Sequence, residues 1–435
     1  MYCLIKEYMK APLLVVSDSK GNIFEIPELL MVGASVNSII LPDDTNVIPL
    51  PKSSILFTLP KRIPVGYDPI SQKIITIKEY QRSPVFAVAA FLPPGYIRTL
   101  SSAYHELSEA PRLPLYCYSA VGWKNGRFYV AGNRIDRQVR HEIADESLEI
   151  IDKHARIMLK RFPQNRLVRH LIENCVFKYR CPNACNLVLG KWECPIPVSS
   201  ACNASCLGCI SHQKKESGFC SSQHRLDFIP TVKEIEEYVL PHLQKAPNPI
   251  ASFGQGCEGE PLLKVNLIEE SIKRIRSQTS RGILNINTNA SLPKAIERIC
   301  IAGINSMRVS LNSAQEKYYT TYYQPKNYRF ENICESIAIA NKYDVWVSLN
   351  YLVFPGFTDH PSEIDALKKL LRKTKINMIQ TRNLNIDPHW FIDKMGLNDL
   401  KEGIGMNRWV HEIKKVFPNV RLGYFNPTPA QIKAR

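Results

Sequence analysis

Three of the thirteen cysteines in this 435-residue chain are spaced to hold a metal cluster. Cys202, Cys206 and Cys209 lie in the run Cys202-Asn203-Ala204-Ser205-Cys206-Leu207-Gly208-Cys209. Three thiolates on one short loop hold three irons of a [4Fe–4S] cube and leave the fourth iron without a ligand from this run. That open position suits a chelating molecule, as the open position on a catalytic metal suits a substrate. A structural zinc is the competing reading, and it usually draws on two paired C-x2-C knuckles. Eight cysteines crowd between Cys175 and Cys220. A disulfide scaffold belongs to small secreted chains, so a crowd of this kind in a long chain reads as metal ligation. Cys175, Cys181, Cys185 and Cys194 suit a second, auxiliary iron–sulfur cluster or a zinc ion, with plain thiols as the alternative. Cys220 and Cys257 sit on loops that approach the same region. Cys257 is the better placed to face a substrate, against the plainer reading of a small buried hydrophobe.

The elements that must carry these residues alternate regularly from about Pro195 onward. Strands are expected at Ile196–Ser199, Ile250–Phe253, Ile283–Asn287, Met307–Leu311, Val345–Val353 and Ile376–Gln380. Helices are expected at Val232–Leu243, Leu267–Ser277, Pro293–Ile301, Phe330–Lys342, Ser362–Lys373 and Asn407–Val416. Six successive strand–helix units imply a parallel α/β sheet with right-handed crossovers, a barrel or a doubly wound sheet. In a barrel, chemistry sits on the loops after the strands, and the triplet follows the first one. Residues 1–135 read as a β-rich domain punctuated by turns such as Lys124-Asn125-Gly126, and residues 136–194 as a helical, Cys-rich connector, helical over Glu142–Asn174. The barrel is expected over 195–425 and a polar tail over 426–435. The run Gly254-Gln255-Gly256-Cys257-Glu258-Gly259 fits G-x-G-x-x-G, yet the next strand ends Asn285-Ile286-Asn287-Thr288-Asn289. It lacks the carboxylate that a dinucleotide site places there for the ribose.

The C-x3-C-x2-C triplet after the first of six strand–helix units resembles the signature of the radical S-adenosylmethionine (SAM) superfamily. Gly259-Glu260-Pro261 resembles that family's Gly-Gly-Glu-Pro motif, with Glu258 for the first Gly. Thr288-Asn289 after strand three, Ser310 and Asn312 at strand four, Phe354-Pro355-Gly356 and Arg382-Asn383-Leu384 are similar to its later motifs. The family often sets an aromatic before the third cysteine, where this chain has Gly208. The resemblance covers about 195–385 and implies a partial (β/α)6 TIM-like barrel. It also implies a [4Fe–4S] cluster on Cys202, Cys206 and Cys209, and SAM contacts at Gly259, Glu260, Thr288, Ser310 and Asn312. Reductive SAM cleavage to a 5′-deoxyadenosyl radical is the implied activity, fed by a reductase, ferredoxin or flavodoxin.

The substrate class is left open by the motifs. A net charge of +16, with twelve Lys and Arg against four Asp and Glu over 151–225, favours an anionic partner. That basic connector and the added β-rich domain point to a macromolecule, whether peptide, protein or RNA. Small-molecule chemistry such as sulfur insertion, with the β domain as a lid, is the alternative. A non-catalytic iron–sulfur or zinc protein that binds nucleic acid is the reading from another class. No D-x-H-x-x-G cobalamin run is present. Tyr318, Tyr319, Tyr322 and Tyr323 read as packing residues at helical spacing, and His389 and Trp390 as candidates for the barrel mouth. Met1–Lys10 has no secretory pattern and the longest apolar run, near Val85–Pro93, is too short for a bilayer span. A cytoplasmic protein without a membrane segment is expected.

Overall fold

The computed structural model describes residues 11–138 and 147–434. The reading of Met1–Lys10 and the start of the expected connector helix at 142–146 lie outside these residues. The carboxyl-terminal half is built on one seven-stranded parallel sheet whose strands neighbour each other in chain order. The strands are Glu193–Ile196, Ile250–Phe253, Ile283–Thr288, Ser306–Leu311, Trp346–Val353, Met378–Asn383 and Arg421–Gly423. The first and last are not paired with each other, so the barrel is open.

Two differences from the sequence reading have physical causes. Arg421–Gly423 is a short seventh strand, with Met378 paired to Arg421. The first strand runs Glu193–Ile196 instead of Ile196–Ser199, with Glu193 opposite Ile250. Pro197 cannot donate a ladder hydrogen bond, and the amides of Val198 and Ser199 are bound by the Glu258 carboxylate instead. Pro195 is tolerated inside the strand because it lies at the sheet edge. Cys194 therefore belongs to the barrel rather than to the connector.

The connector is built into the barrel. Helix Leu148–Arg161 is capped by the Ser147 side chain, and Arg166–Arg169 runs straight into a π-helical stretch, His170–Lys178. Leu167, Leu171, Ile172 and Val176 join the same apolar core as the barrel strands. A charged clamp fastens them: Arg166 pairs with Glu234, itself the N3 residue of the Thr231 capping box on helix Val232–Lys245.

The amino-terminal region is antiparallel β structure from Leu13–Ser17 to Arg127–Arg134, with its own small apolar clusters. Asn125 and Gly126 both have positive φ and turn the hairpin between Val121–Lys124 and Arg127–Arg134. This region sits on the loops after the barrel strands. Arg62 and Asp387 form an ion pair at 3.2 Å with both side chains fully buried, and Asp387 also accepts from the Leu113 amide. Asn383 at the end of strand six accepts from the Arg98 amide and donates to the Tyr96 carbonyl. Gly356, after strand five, meets Ser35 so closely that a Cβ would stand 2.7 Å from its backbone. The expected tail is a short capped helix, Pro429–Lys433.

Two predictions follow from these joints. Asp387→Ala leaves the buried Arg62 with Glu106, 3.0 Å away, as its remaining carboxylate and strands the Leu113 amide, so it lowers stability by about 1–3 kcal/mol in chemical denaturation; the absence of a measurable change contradicts that role. Arg166 hydrogen bonds hold Glu234 down from 4.5 to about 2, so this clamp stabilises above about pH 4.5 and is lost as pH falls towards 2. Arg166→Ala should lower the denaturation midpoint at neutral pH, with the gap from wild type closing in acid.

Candidate active site

The site begins where strand one ends against the turn after strand two. The buried Glu258 carboxylate accepts from Val198 and Ser199 through one oxygen and from Gln255 through the other. Burial outweighs those three bonds and pushes its pKa up to about 8. Gly259 donates to Ser199 and Glu260 to Ala201, both backbone to backbone. A Cβ at Gly259 would lie 1.9 Å from the Ala201 carbonyl oxygen, so only glycine fits. Glu260 is buried and accepts from the Leu262 and Asn289 amides and from the Thr288 hydroxyl. Burial lifts its pKa to about 7. An ionised carboxylate has about four acceptor sites, so one remains for a further donor.

The cysteine triplet hangs from that joint and is pinned on its far side by the tyrosine helix, Glu316–Tyr323. Ser205 and Leu207 donate to the Tyr323 and Tyr322 carbonyls, and Lys326 donates to Asn203. The Gln213 amide donates to the carbonyls of Leu207 and Cys209. Gly208 packs under Tyr322, whose hydroxyl would stand 2.6 Å from a Cβ there. The ring of Tyr322 thus occupies the space beside the third cysteine. Burial pushes the Cys202 thiol up and Cys206 well above its ordinary value. Two thiols that resist ionisation alone, Cys202 and Cys206, suit a cationic cluster, which supplies the compensating charge. The guanidinium of Arg225, 3.5 Å from Cys209 Sγ, adds a positive neighbour.

All three cysteines line one cavity of about 1090 Å³, together with Gly259, Glu260, Thr288 and Ser310. Asn312 is buried elsewhere, donating to the Tyr318 carbonyl, and does not reach the cavity. Arg308 and Arg382 line the wall beyond Ser310. Arg308 donates to Gln380 and Arg382 to the Tyr424 carbonyl, while the Nε of each is buried without a hydrogen-bond partner. Desolvation, aided by Arg382, pulls Arg308 down to about 9. The roof comes from the β region: Lys52, Phe91, Tyr96 and Arg134 face the same space.

The other singled-out residues are distributed as follows. Cys175 and Cys257 come together with His170, three ligand atoms within 4.8 Å of one another. Cys181 lines the cavity, whereas Cys185 lies buried in helix Pro182–Val188 and Cys194 in the first strand. Cys220 is exposed. Tyr319, Tyr322 and Tyr323 are buried packing residues, and Tyr323 also lines the cavity. His389 faces Glu106 at 3.4 Å and Trp390 packs on Phe219 and under the Arg112 guanidinium, so both serve the joint with the β region. Sequence reading missed His170 and the bridging role of Glu258. The G-x-G-x-x-G run already held Cys257 and Glu258 between two strands.

Residues 196–370 match the radical SAM superfamily. Among solved structures, SuiB of Streptococcus suis bound to its precursor peptide SuiA is 14% identical, with 65% of this chain and 66% of that one covered and a TM-score of 0.39. Methylornithine synthase (PylB) is 13% identical over 63% and 78% of the two chains, with a TM-score of 0.38. The methyltransferase TsrM of Kitasatospora setae is 11% identical over 44% and 34%, with a TM-score of 0.33. This chain spans just under two thirds of SuiB. No curated protein sequence matches it. No helix among the described residues is long and apolar enough to cross a membrane.

The Gly259 contact generates a direct test. Gly259→Ala must push the Ala201–Cys202 backbone aside, so the variant should take up less than half the wild-type cluster iron on anaerobic reconstitution. Full iron content with an unchanged visible spectrum would show that the loop tolerates the side chain.

Proposed function

Because residues 196–370 are a radical SAM superfamily domain, we propose that this protein cleaves SAM reductively and acts on a small substrate held under the β-domain roof. The observation that carries the reading is the single cavity that Cys202, Cys206, Cys209 and Glu260 share at the carboxyl ends of the strands. When bound, a [4Fe–4S] cluster and SAM supply a 5′-deoxyadenosyl radical, with the electron coming from a reductase, ferredoxin or flavodoxin.

The chain's own residues bind, orient and exclude water. Cys202, Cys206 and Cys209 would hold three irons, on a loop fixed from both sides. Glu260 keeps one acceptor site for the SAM ammonium, while Gly259, Thr288 and Ser310 border the same space. The assignment of Asn312 as a SAM contact gains no support from its buried position away from the cavity. At about 1090 Å³ the cavity reaches past the roughly 300–1,000 Å³ of ordinary ligand pockets, which leaves room for a second molecule beside SAM. Arg308 and Arg382, incompletely paired and facing inward, favour a substrate with a carboxylate or phosphate group. The roof favours a small molecule over a folded macromolecule. The basic connector surface favours a peptide, protein or RNA, whose reacting segment would have to thread beneath Tyr96 and Arg134.

The test is anaerobic reconstitution, reduction with dithionite and detection of 5′-deoxyadenosine. Replacing Cys202, Cys206 and Cys209 together by Ala should abolish SAM cleavage and remove about four irons per chain. Cleavage that persists in the triple variant would overturn the assignment.

A further inference from the structure

The π-helical stretch His170–Lys178 is the least expected element of the connector. Residues five apart stand about 140° apart around an α-helix. The i→i+5 hydrogen bond of a π-helix brings them towards one face, and such segments concentrate at functional sites. Here the register stacks His170 with Cys175. The loop after strand two brings Cys257 to the same point, fixed by the bond from the Leu226 amide to the Cys257 carbonyl. His170 Nε2 is buried without a well-formed hydrogen bond, and the polar groups gathered with the imidazole are the thiols of Cys175 and Cys257. The Asn174 side-chain amide points at Cys175 Sγ from 3.8 Å, an outer contact of the kind that orients a ligand.

We propose that His170, Cys175 and Cys257 form a second metal centre, separate from the triplet, which binds one divalent ion of the zinc class. Spacing decides between one ion and a cluster. With Zn–S near 2.3 Å, two tetrahedral ligands of one ion stand about 3.8 Å apart. The three ligand atoms lie within 4.8 Å of one another, so closing onto an ion takes about 1 Å of side-chain movement. No other three Cys, His, Asp or Glu side chains among the described residues gather so closely, the triplet included. Thiolates that serve separate irons of a cube stand further apart than two ligands of one ion. Charge also balances: both thiols lose their protons to solvent on binding, and two thiolates with a neutral imidazole cancel a divalent charge in a buried place. Cys175 and Cys257 line the large cavity, so the fourth coordination position opens towards it. Cys185 and Cys194 are not ligands in this arrangement, and Cys181 lies outside the group of three.

The inference does not depend on SAM cleavage, and its readout is metal content. Protein purified without chelator should carry about one zinc per chain, and the triplet Ala variant should lose its iron but keep that zinc. Cys257→Ser and His170→Ala should each lose the zinc and keep the iron, while Cys185→Ser and Cys194→Ala keep both. Titrating wild-type protein stripped of zinc with cobalt(II) should give thiolate-to-cobalt absorption that saturates near one equivalent, a measurement that stands even where a variant fails to fold. Absence of that absorption would overturn the proposal, as would about four irons persisting in the triplet variant or equal loss of zinc in Cys194→Ala.

Discussion

The site depends on the joint between the exit of strand one and the turn after strand two. Glu258 sits in a dry place and accepts three backbone amides, two from the segment that leads into the cysteine loop. Gly259 lets that segment approach so closely that no side chain fits between them. Glu260 extends the joint to strand three through Thr288 and Asn289. Three consecutive residues thus tie the ends of three strands. Each unpaired amide buried there would cost about 1–3 kcal/mol, so the joint forms as a unit.

Rigidity on one side needs a counterpart on the other, and the tyrosine helix supplies it. Carbonyls of Tyr322 and Tyr323 take amides from the cysteine loop, so the loop is held by backbone rather than by its own cysteines. Gly208 is part of the same fit. Where a side chain would stand, Tyr322 already fills the space. The loop is left in a shape that waits for metal, since burial alone disfavours the ionised form of Cys202 and Cys206.

The β region completes the cavity. Its attachment is polar and buried, through Arg62 with Asp387 and through Asn383 with the backbone around Tyr96. Such contacts are specific in geometry, because a shifted β region would strand buried charges. The same roof brings Arg134 and Tyr96 over a wall that carries Arg308 and Arg382. The interior is rich in cations, with Arg134, Arg225, Arg308 and Arg382 all on its lining.

Much of the barrel was legible in the sequence because its signals are local. Helix Phe330–Lys342 keeps its expected bounds, and strand Ile250–Phe253 does too, since apolar period and turn residues act within a few positions. The triplet and the Gly259-Glu260-Pro261 turn were visible as spacings, and the structure sets them on one cavity. The first strand was misplaced by three residues because Pro197 and the remote Glu258 decide where the ladder stops. Proximity across the chain was beyond any local pattern. His170 and Cys257 are 87 positions apart, and only the π-helical register and the strand-two loop bring them together. The roof over the cavity likewise rests on Asp387 meeting Arg62, a pairing of buried opposite charges that neither segment announces alone. Sequence determined which residues could do chemistry; tertiary packing decided which of them meet, because burial and long-range hydrogen bonds select among contacts that local propensity leaves equal.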